Sequence, residues 1–330
     1  MRAVVVDKFG SFEDAMVRDI PTPALGIDDV LVEVHAVAAN FVDTLVIAGT
    51  YQFRPTLPFV PGKLPAGVVK AIGAGVTAPK VGDRVLAITE YGGYGELVVV
   101  PALQCFCIPQ AMSFTDAASM SSVFDTSLMA LRDRAQFKQG ESVLVIGATG
   151  GVGLASLQLV KALGGKALAG VSNPAKASLA TEAGADAIID LSVNDLKDNL
   201  REQVCAANGG RGVDIVFDML GGEFFDAAIR ALAWRGRLVV IGFAAGGIPT
   251  LKVNYLLVKN ISVSGIQISD YRAKAPQQTA DCFAELFSLY ELGKIKPLPT
   301  TAMPMDHFED ALRALRDRSA QGRIVLVPQA

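Results

Sequence analysis

Apolar positions in the first 120 residues come in short runs broken by turn residues. The runs are AVVV at 3–6, VLVEVHAVA at 30–38, GVVKAIGAGV at 67–76, DRVLAI at 83–88 and GELVVV at 95–100. In Val30–Ala36 every even position is apolar, with Glu33 and His35 on the opposite face, the period-two pattern of a half-buried strand. Pro21, Pro23, Pro58, Pro61-Gly62, Gly73, Gly75 and Gly82 punctuate the runs. Many short strands with glycine-rich turns predict a barrel-like antiparallel domain.

The pattern changes near residue 120, where strand and helix signals begin to alternate. Strands are predicted at Ser142–Ile146, Lys166–Val171, Ala187–Ile189, Val213–Met219, Arg237–Ile241 and Ile261–Ile266. Helices are predicted at Gly151–Leu163, at Pro174–Ala183 with Asn173 as N-cap, and at Asn194–Ala206. The strands are continuous apolar runs, as in a parallel sheet covered on both faces. This is a doubly wound βαβ series. A helix near Ala275–Leu292, the Lys296-Pro-Leu-Pro299 link, a helix Phe308–Arg316 and a strand Arg323–Val327 follow. The expected fold is therefore α/β in two domains. A β-barrel domain of residues 1–121, completed by 267–330, flanks a six-stranded parallel Rossmann domain of residues 122–266.

Ser142–Ile146 runs into Gly147-Ala-Thr-Gly-Gly-Val-Gly153, which opens a helix. Glycine permits a tight turn and close backbone approach, and a helix start offers N–H groups and a positive dipole end to a pyrophosphate. Thr149, Gly150, Gly151, Val152 and Gly153 are thus candidate dinucleotide-binding residues. The second strand ends Leu168-Ala-Gly-Val-Ser-Asn173 without the carboxylate that would hold a ribose 2′-hydroxyl. Ser172 and Lys176 instead suit a 2′-phosphate, so the expected cofactor is NADPH; a solvated helix lysine is the plainer reading of Lys176.

Composition narrows the classes further. The 330 residues carry 51% hydrophobic and 19% charged residues with a net charge of −3, which favours a packed protein over a disordered or nucleic-acid-binding one. The opening MRAVVVDKFG does not read as a secretory signal, and no run approaches the roughly 18 apolar residues of a membrane helix. Cys105, Cys107, Cys205 and Cys282 fit neither a disulfide framework nor a four-ligand zinc pattern, and Cys105 and Cys107 read as core. His35 and His307 read as structural. The expectation is a reduced, cytoplasmic protein.

Ala39-Asn-Phe-Val-Asp-Thr44, Gly49-Thr-Tyr51, Leu57-Pro-Phe-Val-Pro-Gly62, Gly67-Val-Val, Gly73, Gly75-Val76, Val81-Gly-Asp-Arg-Val85 and Gly150-Gly-Val-Gly153 together resemble the quinone oxidoreductase branch of the zinc-free medium-chain reductases, the branch that includes zeta-crystallin. The resemblance spans nearly the whole chain. It implies a GroES-like domain joined to a Rossmann domain. It also implies hydride transfer from NADPH to a quinone or an α,β-unsaturated carbonyl compound. On this resemblance Thr126 lies near the nicotinamide, and Asn40 and Asp43 line its pocket; a strand-end cap and a turn cap are the bland alternatives. Tyr51 is the candidate hydrogen-bond donor to the substrate oxygen. Leu220, Phe243 and Arg323 complete the cofactor-binding set, with packing as the alternative for Phe243. The chain departs from the family in three places: no Glu near position 64, Leu191 where many NADPH-dependent members have Tyr, and Arg323 for a common Lys. In zinc-binding relatives the ligands fall near Asn40 and near Lys63-Leu64, none of them a zinc-ligand type here. The resemblance also implies a homodimer through the Ile261–Ile266 edge strand.

Two alternatives stay open. An enoyl-thioester reductase would need cations for coenzyme A phosphates, with Arg54, Arg272 and Lys274 as candidates. A non-catalytic NADPH-binding structural or RNA-binding protein is the other. Whether Tyr91, Tyr94 and Tyr271 face a substrate is undecided by sequence, and Gly92-Gly93 and Gly95 suggest a mobile or sharply turned loop.

Overall fold

A computed structural model describes residues 1–328. In chain order its strands are β1 Arg2–Val5, β2 Met16–Asp19, β3 Asp29–Ala39, β4 Ala66–Ile72, β5 Arg84–Ala87, β6 Leu97–Pro101, β7 Cys105–Cys107, β8 Ser142–Ile146, β9 Lys166–Val171, β10 Ala187–Asp190, β11 Val213–Asp218, β12 Leu232–Val240, β13 Ser262–Gly265, β14 Thr300–Pro304 and β15 Arg323–Val327. The chain divides into two units. The first comprises Met1–Ser122, Ser269–Phe287 and the residues from Pro297 onward; the second comprises Val123–Ile268 and Ser288–Lys296. The last of these stretches is assigned differently from the sequence reading. Its Lys296 N–H donates to Gln158 Oε1 at 2.8 Å, within the second unit.

The first unit is built on a sheet centred on β3. On one side β3 pairs antiparallel with β4; along its length it also pairs with β6 and, at its end, with β15. The predicted alternation holds: Val30, Val32, Val34 and Ala36 are buried, while Glu33 and His35 face outward. Gly67 of β4 lies opposite Val34, and a Cβ there would sit 1.8 Å from the Glu33 carbonyl oxygen. No side chain fits between these two strands. Cys105 is buried but Cys107 is exposed, so only the first is core. The two share a strand face, and β7 is the sheet's edge.

In the second unit all six strands are parallel, in the order β10-β9-β8-β11-β12-β13. The chain winds outward from β8 in one direction and then, from β11, in the other, so the switch point lies at β8 and β11. Ligands of such sheets bind beyond the carboxyl ends of the strands at that point. β8, β9 and β15 match the predicted ranges residue for residue. Three differences have local causes. Residues 174–183 open as a 3-10 turn at Pro174–Lys176 before the helix Ala177–Glu182, with Asn173 Oδ1 accepting the Ala175 N–H. The helix Gly222–Ala231 is absent from the predicted elements; it buries Phe225, Ala228 and Ile229. It runs straight into β12, which therefore begins five residues early and bulges between its pairings of Leu232 and Arg237.

Gly67→Ala should lower the stability of the protein by about 1–3 kcal/mol through overpacking at β3–β4. Urea unfolding of the two proteins measures it; equal midpoints and slopes would show that the strands separate without cost.

Candidate active site

In the second unit the glycine-rich turn leaves β8 and enters the helix Gly151–Ala162. Gly147 has φ +85°, and the Gly147 and Ala148 N–H groups donate to the Gly170 carbonyl at 3.2 and 3.1 Å, which ties the turn to β9. A Cβ on Gly153 would lie 2.4 Å from the Gly147 carbonyl oxygen and 2.7 Å from Ala148 backbone atoms. Glycine is thus required where the helix crosses its own turn. At Gly150 the nearest atom to such a Cβ is 3.5 Å away, so the outer side of the turn is open. Gly150 is the N-cap, and no side chain caps the helix start. This arrangement fits a pyrophosphate: an uncapped helix N-terminus behind an open turn whose backbone a ligand can approach.

Around this turn the structure brings together most of the predicted cofactor residues. Thr149 is in the turn; Val152 accepts from Ser127 Oγ at 3.1 Å through its carbonyl, and Ser156 Oγ donates to Ser127 Oγ at 3.0 Å. Those bonds fix the helix Phe124–Met129, which carries buried Thr126, against the helix after the turn. Leu220 follows β11 and packs over Gly147, its Cδ2 lying 3.2 Å from where a Gly147 Cβ would be. Its N–H donates to Asp218 Oδ1 at 2.9 Å, as does that of Gly221. Asp218, which no sequence motif singles out, thereby sets the loop; burial raises its carboxyl above the usual range. Phe243 is 43% exposed beside Gly221. Ser172 is exposed and Lys176 half-buried on the segment after β9, and Leu191 is buried in the core behind Gly170.

Arg323 is placed differently. It lies in the first unit, buried, with Nη2 donating to Asn40 Oδ1 at 2.8 Å and Nε to the Ser119 carbonyl at 3.1 Å. Asn40 caps the helix Phe41–Ile47, and its Nδ2 donates to the Ala38 carbonyl at 3.0 Å. Asp43 Oδ2 accepts both the Asn40 N–H and the Tyr94 hydroxyl at 2.8 Å. Asp43 is thus a helix cap, but one sealed inside the protein: burial lifts its carboxyl to about 6 against those hydrogen bonds and the charges of Lys63 and Arg323. Tyr94 is fully buried, its ring occupying the space a Gly62 Cβ would need.

Loops 60–64 and 89–94 are joined by backbone bonds from Gly92 to Val60, Gly93 to Gly62, Tyr94 to Pro61 and Leu64 to Thr89. Between them lies a second buried group that sequence reading missed. Lys63, 2% exposed, donates to Glu90 Oε2. Glu90 also accepts from Ser269 Oγ at 2.7 Å and Arg272 Nη1 at 2.9 Å. Against the desolvation of its burial, the charges of Arg272 and Lys63 and these hydrogen bonds hold its carboxyl down at about 2. Arg272 is therefore buried on Glu90 rather than presented to a ligand. Lys274 pairs with Asp270, and Arg54 stacks over Phe9. Tyr51 is half-buried, its ring 5.1 Å from the Lys63 ammonium. Tyr91, stacked on Phe53, lines a separate cleft of about 650 Å³ with Ile20, Pro58, Phe59 and Val98. Among the described residues no group of three or more His, Cys, Asp or Glu side chains is placed to hold a metal ion.

Residues 26–110 match the family described as alcohol dehydrogenase GroES-like domain, and residues 151–285 that described as zinc-binding dehydrogenase. A quinone oxidoreductase-like protein 2 homolog of Nematostella vectensis is 33% identical over 98% of this chain and 88% of its own length. This chain belongs to the zinc-independent quinone oxidoreductase family of medium-chain reductases. The structure of a mycobacterial quinone oxidoreductase is 31% identical, covers 99% of this chain and 100% of its own, and has a TM-score of 0.90. That of Escherichia coli quinone oxidoreductase complexed with NADPH is 29% identical over 99% and 100%, with a TM-score of 0.89. The buried Lys63–Glu90–Arg272 group, like Asp218, is a part of the site that no sequence motif announced; for the former the signal available was a lysine in an otherwise apolar Gly-x-x-Pro turn.

Asp43 links the site to pH. An acid held above its usual value binds its proton more readily folded than unfolded, so its contribution is greatest below the unfolded value of 3.8 and is lost as pH rises to about 6. Glu90 acts in the opposite sense, but below pH 4.5. Between about pH 4.5 and 6, Asp43→Asn should therefore remove a fall of about 2 kcal/mol in unfolding free energy. Denaturant melts across that window test it, and parallel curves for the two proteins would contradict it.

Proposed function

We propose that this protein is an NADPH-dependent oxidoreductase that delivers a hydride to a quinone or an α,β-unsaturated carbonyl compound without zinc. The observation that carries the reading is the turn after β8, where Gly153 packs against backbone and the helix start is left open at the sheet's switch point. NADPH, when bound there, supplies the hydride. Thr149, Gly150, Gly151, Val152 and Gly153 would hold the pyrophosphate, and Ser172 and Lys176 the 2′-phosphate. Thr126, Leu220 and Phe243 would flank the cofactor. Tyr51 would donate its hydroxyl hydrogen bond to the acceptor oxygen as negative charge gathers there, and Asn40, fixed by Arg323 and Asp43, would present an oriented amide edge. Arg323 thus serves the reaction through Asn40. With Asn40 and Lys63 already engaged by Arg323 and Glu90, the positions where relatives bind zinc are committed to other contacts.

A homodimer through the edge of the second unit's sheet belongs to the same reading. β13 is shorter and more polar than the sequence suggested, with only Val263 apolar. The exposed apolar surface lies beside it instead, at Leu257 and Val258 of the helix Asn254–Lys259, 80% and 71% exposed. A reducing, cytoplasmic setting, in which the four cysteines stay as thiols, belongs to the same reading.

Fluorescence titration should show NADPH binding at least about tenfold tighter than NADH, with the preference lost in Lys176→Glu. Equal affinities would remove the 2′-phosphate site, and binding of neither would remove the oxidoreductase reading. Light scattering should give a dimer that Leu257→Glu with Val258→Glu converts to monomer; a wild-type monomer rejects the interface.

A further inference from the structure

Lys63 is the group for which the reaction above has no use. A lysine 2% exposed is costly to bury, and the ion pair with Glu90 offsets that cost without explaining it. Loops 60–64 and 89–94 are already joined by four backbone bonds, so their pairing does not depend on a tether. Glu90 has Arg272 and Ser269 besides. The backbone, moreover, is bent to bring Lys63 inward. Gly62 has φ +89°, and Leu64, fully buried, holds φ +51°, a left-handed conformation that an L side chain such as leucine rarely adopts. Strain of this kind persists where the surroundings over-determine it, often at functional sites. The destination of the turn is the face of Tyr51, whose ring centroid is 5.1 Å from the ammonium, inside the range of a cation–π contact.

We infer that Lys63 is a positioning residue for Tyr51: clamped by Glu90, it holds the phenol ring by its face and fixes a positive charge beneath it, so that the Tyr51 hydroxyl is suited to an acceptor oxygen that becomes an anion. The inference rests on Tyr51 being the donor proposed above, and it adds the substrate chemistry. Acceptors whose oxygen ends as an enolate or a hydroquinone anion are favoured, and a stable phenolate is a mimic of that oxygen. Lysine suits this role because its compact ammonium sits on a flexible stem and needs a second charge to hold it still, which Glu90 provides.

The test uses the full-length protein, Lys63→Met, Lys63→Arg, Tyr51→Phe and the Lys63→Met/Tyr51→Phe double variant. A Glu90→Gln/Lys63→Met pair guards against a folding failure from a buried acid that has lost a partner. NADPH affinity by fluorescence should stay within about twofold throughout, because none of the substituted residues belongs to the proposed cofactor-binding set. With an enone or small quinone, kcat should fall about tenfold or more in Lys63→Met with KM changed far less, and Lys63→Arg should restore part of it. In the Tyr51→Phe background Lys63→Met should cost little more. Independently of turnover, 4-nitrophenol added below its own midpoint should bind as the coloured phenolate, and Lys63→Met should abolish the colour. If wild type turns over no acceptor yet the phenolate binds in a Lys63-dependent way, the reductase reading fails and the inference about Lys63 stands. Unchanged kcat in Lys63→Met, full additivity with Tyr51→Phe, or 4-nitrophenol bound only as the neutral phenol each overturn it.

Discussion

A charged side chain removed from water has to find its partner inside the protein, and the first unit is arranged around that requirement. Lys63, Glu90, Arg272, Asp43 and Arg323 are all buried or nearly so, and each is met by an opposite charge or by aimed hydrogen bonds. The groups are joined through the loops that carry them. Gly62 makes room for Tyr94, Tyr94 reaches Asp43, Asp43 holds the Asn40 backbone, and Arg323 holds the Asn40 side chain. One residue further along the same turn, Lys63 reaches Glu90 and the face of Tyr51. Removing one partner leaves another group buried without its complement, which is why single substitutions here are expected to be felt at several side chains.

The second unit is governed by space rather than charge. The central strands β8 and β9 of its sheet are largely apolar and buried, and its chemistry is concentrated in one turn where backbone approaches backbone. Gly153 is packed to contact, Gly150 is open, and Asp218 holds the loop carrying Leu220 against Gly147. A rigid parallel sheet supports a turn with exposed amides, and such a turn is suited to an anion of fixed shape. The two units thus illustrate different routes to preorganisation: paired buried charges in one, close backbone packing in the other.

Patterning carried the fold a long way. The period-two alternation in β3 and the continuous apolar runs of β8 and β9 are read directly from side-chain order, because a strand's two faces or its double burial leave that mark. The helix Gly222–Ala231 escaped because small alanines dominate its buried face and it passes into β12 without a breaker. The exposed Cys107 escaped because a two-residue spacing says which face a residue is on, not whether that face is covered.

What the sequence determined by itself was local: the strand and helix periods, the glycine turn where only a missing side chain lets a helix cross its own loop, and the absence of zinc-ligand types at Asn40 and Lys63-Leu64. Those depend on neighbours in the chain, so composition and spacing record them. What only the tertiary structure decided was partnership. Arg323 meets Asn40 across 283 positions, Arg272 meets Glu90 across 182, and Lys63 meets Tyr51 by a turn in which Leu64 is left-handed. A buried charge is stable only beside its complement, and which residue that is depends on how strands distant in sequence are brought together.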